Sequence, residues 1–70
     1  MILELSMGAP IGDDKYGATI DWSYYHGYLN QTDETGHYQW KLPPEEALKR
    51  LLDFVDVMKE VGWVMLGDGD

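Results

Sequence analysis

Apolar residues occupy every second position from Leu3 to Met7, and the positions between them are polar. A period of two residues is typical of a strand that buries one face. The pattern therefore predicts a first strand over residues 2–7. Residues 8–15 are rich in Gly, Pro and Asp, which predicts a loop after that strand.

Aromatic and β-branched residues dominate residues 16–29 and predict a second strand. One face of this strand would carry Ala18, Ile20, Trp22 and Tyr24, and the other Thr19, Asp21, Ser23 and Tyr25. Within it, Gly27 would mark a bulge or the end of the strand. Residues 30–36 have the composition of a turn, and residues 37–42 alternate again. These two strands, joined by that loop, predict an antiparallel hairpin.

The apolar period changes to that of a helix after Pro43-Pro44, because apolar residues recur three and four positions apart as far as Val61. A proline is favourable in the first helical turn, and Gly62 is a natural stop. The apolar arc exceeds the roughly 100° that a surface helix needs to cover its own core. The apolar residues beyond this arc, chiefly Phe54 and Val57, are expected to pack under loops or to contact a second chain.

Residues 63–66 form a short apolar run that predicts a last strand, and residues 67–70 are an acidic tail. Together the elements predict one small acidic α+β domain over residues 1–70. Its three- or four-stranded, mainly antiparallel sheet would carry one amphipathic helix on one face, in the order β-β-β-α-β. The other face would stand open, with Tyr, Trp, His and Thr side chains on it.

Cysteine is absent from the chain, so neither disulfides nor thiolate metal sites are available to it. The first residues have no basic region, and no stretch approaches the roughly 20 apolar residues that cross a bilayer. We therefore expect a cytoplasmic protein without a membrane partner.

The formal net charge of −8 is the strongest functional signal in the composition. Such a field repels phosphate backbones and anionic lipids, and it attracts basic partners. Direct binding of nucleic acid is therefore not expected. The simpler interpretation is that the acidity serves only to keep a small protein soluble.

The two histidines, His26 and His37, flank the predicted hairpin loop. Paired strands would bring them close enough for an acid–base couple or for two metal ligands, beside Asp33 or Glu34. This is the basis of one alternative function, a small His-dependent hydrolase. A zinc site needs three or four ligands, however, and the spacing matches no standard pattern.

No other motif in the sequence predicts a catalytic, metal or cofactor site. Asp13-Asp14 does not continue into a calcium loop of 12 residues that ends in Glu. The glycines are not followed by the residues of a phosphate-binding loop, and no nucleophile turn is present. We expect neither enzymatic activity nor a cofactor.

Carboxylates in loops and strands have few basic neighbours and lie among tyrosines, which are enriched at protein interfaces. Spread at intervals of several ångströms, such groups imitate the phosphates and bases of a nucleic acid. The residues predicted to bind a partner are Asp13, Asp14, Asp21, Tyr24, Tyr25, Tyr28, Asp33 and Glu34.

The predicted function is a non-catalytic inhibitor that blocks a basic, nucleic-acid-binding protein. Small acidic domains of this class occur as phage-encoded inhibitors, immunity proteins and antitoxins. The second alternative is a structural module that completes its core by self-association, for example as a homodimer. A small domain buries only about 60% of its unfolded surface, so association would add stability.

Overall fold

The computed structural model describes residues 3–66, which form five strands and one helix. The strands are β1 (Leu3–Gly12), β2 (Lys15–Tyr25), β3 (Tyr28–Asp33), β4 (Gly36–Lys41) and β5 (Val64–Met65), and the helix α1 (Pro44–Glu60) precedes β5. Every pairing is antiparallel, in the order β4-β3-β2-β1-β5. The predicted α+β class is confirmed, with five strands instead of three or four. The predicted acidic tail lies outside the described residues.

The predicted loop over residues 8–15 is instead the end of a long hairpin between β1 and β2. The pairing continues to Gly12 opposite Lys15, and Asp13-Asp14 form the turn. Register shifts on both sides of Pro10 accommodate a residue that has no backbone N–H to donate. Because β3 pairs with β2 only from Ile20 onward and β5 pairs with β1 only at Met7 and Gly8, most of this part of the hairpin extends beyond the rest of the sheet. We call residues 8–19 the arm.

The predicted second strand is in fact two strands, because the chain turns back at His26-Gly27. Both residues have positive φ angles, of 52° and 82°, and they connect the paired residues Tyr25 and Tyr28. Positive φ at both positions is the requirement of the type I′ hairpin turn. The prediction of a loop over residues 30–36 was therefore wrong for Asn30–Asp33, which belong to β3.

Replacing Gly27 with alanine should lower the free energy of unfolding by about 1–2 kcal/mol, the cost of a left-handed conformation for a residue with a Cβ. Open space surrounds this position, so the loss would come from the backbone alone. Urea denaturation followed by circular dichroism measures it. Gly12→Ala is the matched control and should change stability by less than about 0.5 kcal/mol, since Gly12 is also unobstructed and lacks a positive φ.

The helix begins and ends where the sequence predicts. Pro44 occupies its first turn, where a missing N–H leaves no bond unmade. At the other end, the Gly62 N–H donates to the Lys59 carbonyl, and the Trp63 N–H donates to the Met58 carbonyl. These two bonds form a Schellman motif, which the positive φ of Gly62 makes possible.

The core lies between the helix and one face of the sheet. Its buried side chains are Met7, Ile20, Trp22, Tyr24 and Leu29 from the strands, with Ala47, Leu51 and Val55 from the helix. Phe54 packs against two sheet residues, and its ring lies parallel to that of Trp22 with the centroids 6.1 Å apart. The prediction that Phe54 is surplus to the core was wrong, whereas Val57 is exposed.

The opposite face of the sheet has no helix over it among the described residues. Strand alternation and the register place the following residues on this surface, which we call the open face: Glu4, Ser6, Thr19, Asp21, Ser23, Tyr25, Tyr28, Asn30, Thr32, His37, Gln39 and Lys41. The expected tyrosine, histidine and threonine side chains are present there. The expectation of tryptophan was wrong, because Trp22 and Trp40 both lie on the helix side.

Candidate functional site

Hydrogen bonds between neighbouring strands connect polar side chains across the open face. Asn30, the one buried polar residue of the described chain, accepts a bond of 2.8 Å from the side-chain amide of Gln39. Its own amide nitrogen donates to the carbonyl of Tyr28, at 3.3 Å. On the neighbouring row, Thr32 Oγ1 lies 2.8 Å from His37 Nδ1. These bonds hold the side chains close to the sheet and leave a flat polar surface.

Two shallow depressions adjoin on this face and share Asp21 and Thr32. One has a volume of about 330 Å³ and is also lined by Glu4, Ser6 and Ser23. The other has a volume of about 310 Å³ and is also lined by Gly17, Ala18, Thr19, Asp33 and Glu34. Asp21 therefore stands at the centre of the site, where its Oδ1 accepts a hydrogen bond from the Ser6 hydroxyl.

The site is anionic without local compensation. Acidic residues line the two depressions, namely Glu4, Asp21, Asp33 and Glu34, and no Lys, Arg or His is among the lining residues. The carboxylate of Asp33 is bonded to Gln31 on the helix side of the sheet, so the negative charge of this face comes from Glu4, Asp21 and Glu34. Carboxylates in such an arrangement bind guanidinium and ammonium groups by charge-assisted hydrogen bonds. The chemistry available to this surface is thus recognition of cationic side chains.

Asp33 is held in place at the end of β3 by its neighbours. Its Oδ1 accepts from the Thr35 backbone N–H at 2.8 Å and from the Thr35 hydroxyl, and its Oδ2 accepts from Gln31 at 3.0 Å. These hydrogen bonds, led by that of the Thr35 side chain, lower the pKa of Asp33 below the ordinary 3.8. The carboxylate is the form that the β3–β4 turn stabilises.

The lowered pKa of Asp33 predicts a dependence of stability on pH. The folded-state pKa lies below the unfolded-state value, so this contribution is complete above about pH 4 and is lost as the pH falls through the folded-state pKa. Asp33→Asn should therefore show a shallower loss of stability on acidification than the wild type. Urea denaturation at a series of acidic pH values measures both slopes, and parallel slopes would contradict the assignment.

The predicted partner-binding residues fall into three places along β2. Asp21, Asp33 and Glu34 all line the second depression, but the carboxylate of Asp33 is bonded to Gln31 on the helix side of the sheet. Tyr25 and Tyr28 face each other across the β2–β3 pairing, both exposed on the open face. At about 3.3 Å per strand residue, Tyr25 lies roughly 13 Å from Asp21.

Asp13 and Asp14 lie at the tip of the arm, in the turn between Gly12 and Lys15. Both are exposed, but the six residues 15–20 separate them from Asp21 by roughly 20 Å. They extend the acidic surface along the sheet and do not line the site itself.

Tyr24 is not available to a partner, so its prediction as a binding residue was wrong. Only 3% of the residue is exposed, on the helix side of the sheet, and its hydroxyl donates a 2.7 Å hydrogen bond to the Leu42 carbonyl. Adjacent tyrosines of a strand point to opposite faces, so Tyr24 and Tyr25 could not both lie on the open face.

The expected proximity of the two histidines was also wrong. His26 lies in the turn before β3, whereas His37 in β4 faces Thr32 near the other end of β3. The length of β3 separates them by roughly 15 Å. Among residues 3–66, no three His, Cys, Asp or Glu side chains come together as a potential metal site.

Several residues that line the site were not predicted, among them Glu4, Ser6 and Thr32. The alternation of β1 already placed Glu4 and Ser6 opposite the apolar positions, so the sequence contained the signal for them. What it lacked was the register, which sets Ser6 beside Asp21 and Asp21 beside Thr32. Thr32 was assigned to a loop.

Within the described residues, α1 is too short and too polar to cross a membrane. No model of a known protein family matches the chain, and no curated protein or solved structure shows significant similarity to it.

Proposed function

We propose that this protein is a non-catalytic binding domain whose open face docks on a basic surface of another protein. The observation that carries the proposal is the pair of adjoining depressions centred on Asp21, which Glu4, Asp21 and Glu34 line without any cationic residue. Arginine and lysine side chains of a partner would replace water around these carboxylates with charge-assisted hydrogen bonds. The net charge of −8 would speed the encounter.

The partner class that we infer is a protein that itself binds nucleic acid, because such proteins concentrate Lys and Arg on one surface. The acidic residues of the arm and of the depressions extend over roughly 20 Å along β2. The exposed rings of Tyr25 and Tyr28 lie beyond them on the same face. Negative groups with flat rings resemble a nucleic acid, which supports inhibition by occupation of the nucleic-acid-binding surface.

We further propose that this inhibition takes place in the cytoplasm, as the cysteine-free composition supports. A phage-encoded inhibitor of a host defence enzyme would fit this description. The His-dependent hydrolase is not carried forward, because the geometry separates its two histidines.

The experiment that tests the proposal is capture on the immobilised protein from a host lysate fraction enriched on DNA-cellulose. We expect one basic protein to be retained at low salt, and to be released both by added salt and by a short DNA duplex. Release by the duplex shows that DNA and the immobilised protein compete for the same surface of the captured protein. A retained protein that neither salt nor duplex displaces would contradict the proposal, and so would an empty column.

A further inference from the structure

The two edges of the sheet are protected to different degrees. At one edge, β5 pairs with β1 at Met7 and Gly8, and the Leu66 N–H donates to the Ser6 carbonyl. At the other edge, nothing among the described residues pairs with the outer side of β4. Half of the backbone N–H and C=O groups of this strand therefore point outward, ready to pair with another strand.

β4 also lacks the features that protect natural edge strands. Its sequence, Gly-His-Tyr-Gln-Trp-Lys, contains no proline and no carboxylate, and its one lysine is at the end. Its pairing with β3 is continuous from Gly36 to Lys41, without a bulge. A regular edge with two aromatic residues is a template for strand addition.

The helix leaves the side chains of β4 partly uncovered. Tyr38 is 42% exposed, and Trp40 is half-buried against Phe54, with their ring centroids 5.8 Å apart. Beside them lies a depression of about 330 Å³ between β4 and the helix, lined by Gln31, Asp33, Thr35, Tyr38, Trp40 and Phe54. A strand added to β4 would cover these rings.

We propose that β4 pairs with β4 of a second copy of this chain, forming a symmetric dimer with one continuous sheet. A strand that docks here needs aromatic or apolar side chains on the helix side and polar ones on the open face. β4 itself has this pattern, with Tyr38 and Trp40 on one side and His37, Gln39 and Lys41 on the other. The strand is self-complementary.

Electrostatics favours this edge for contact between two copies of an acidic chain. β4 has no carboxylate, Lys41 is at its end, and the Arg50 guanidinium lies 5.8 Å from the Trp40 ring centroid. Two molecules of charge −8 therefore meet with less repulsion where their β4 strands approach than where their acidic open faces do. This local balance points to a second copy as the occupant.

The register follows from the faces of the strand. Antiparallel partners share a face, so residues of the two copies must pair even with even and odd with odd. Centring the two-fold axis on Gln39 places Tyr38 opposite Trp40 of the second copy, twice, and His37 opposite Lys41. Aromatic cross-strand pairs stabilise a sheet, which favours this register. Both open faces then lie on the same side of the dimer.

The test is sedimentation equilibrium from low micromolar to the highest soluble concentration. We expect the wild type to dimerise and Tyr38→Lys to weaken dimerisation at least about tenfold, because it places charge among the paired rings. Tyr16→Lys is the matched control: Tyr16 is equally exposed but lies on the arm, so that variant should dimerise as the wild type does. A circular dichroism melt of each variant verifies its fold.

The register has its own test. In the variant His37→Glu, the new carboxylate would face Lys41 of the second copy, so the dimer should become roughly fivefold tighter. Adding Lys41→Glu to this variant should cancel the gain in affinity. A wild type that stays monomeric would overturn the proposal, even if it bound another protein's strand. Dimerisation that is insensitive to Tyr38→Lys would overturn it too. Dimerisation does not depend on the acidic site, so Asp21→Asn should leave it unchanged. A failure of the β4 dimer can therefore be distinguished from a failure of the open face to bind a basic partner.

Discussion

Replacing Trp22 with alanine should leave most of the protein unfolded at room temperature. Only 2% of Trp22 is exposed, its ring stacks on Phe54, and its indole N–H donates to Gln31 at 3.0 Å. Removing a buried Trp costs about 3–5 kcal/mol. That is comparable to the roughly 3–5 kcal/mol that one core supplies to a domain of this size. Far-UV circular dichroism and urea denaturation measure the loss.

Trp22→Phe is the control for this prediction. It keeps an aromatic ring against Phe54 and loses only part of the volume and the bond to Gln31, so we expect a folded protein about 1–2 kcal/mol less stable than the wild type. If Trp22→Ala unfolded cooperatively within about 1 kcal/mol of the wild type, the core would not lie where the structure places it.

The second large effect concerns binding. Replacing Asp21 with Asn and Glu34 with Gln should weaken the complex with the captured partner about 100-fold, since each charge-assisted hydrogen bond contributes about 1.5–3 kcal/mol. Both residues are exposed, and both line the depressions. Isothermal titration calorimetry against the captured protein measures the change.

A second double variant, with the same net charge as the first, distinguishes the effect of the site from the effect of the overall negative charge. Asp56→Asn with Glu60→Gln removes two carboxylates from the exposed side of the helix. We expect its affinity to fall less than about threefold, because distant surface charges act mainly on the association rate and are screened by salt. Equal losses in the two double variants would mean that only the total charge matters.

Much of the fold could be predicted from local periodicity. The alternation of apolar residues gave the correct faces for Leu3 to Met7 and for Ala18 to Tyr25, because one-sided burial imposes a period of two on a strand. The helix boundaries followed from Pro44 and Gly62, whose backbone preferences act within a few residues.

β3 could not be predicted in the same way, because its polar residues have partners that only the folded sheet supplies. Asn30 is buried with its amide group bonded to two strands, and Gln31 bridges the Trp22 indole and Asp33. In isolation Asn-Gln-Thr-Asp has the composition of a turn. The actual turn, His26-Gly27, was obscured by the aromatic residues on either side of it.

The candidate site was predictable in chemical type but not in arrangement. Charge and composition indicated carboxylates with tyrosines, and the structure places Asp21 and Glu34 at one depression while the carboxylate of Asp33 bonds to Gln31 on the helix side. The register decided which of them meet, and it added Glu4 and removed Tyr24. A shift of one residue reverses the face of every side chain in a strand, so composition alone could not settle the membership.

The most direct test of the open face as the docking surface is a nuclear magnetic resonance titration with the captured partner. The side-chain amides of the chain report on the two faces separately: Asn30 and Gln39 are on the open face, and Gln31 is on the helix side. We predict that the Asn30 and Gln39 signals shift on binding while that of Gln31 stays. A shift of the Gln31 amide and the Trp40 indole, with Asn30 and Gln39 unchanged, would contradict the account.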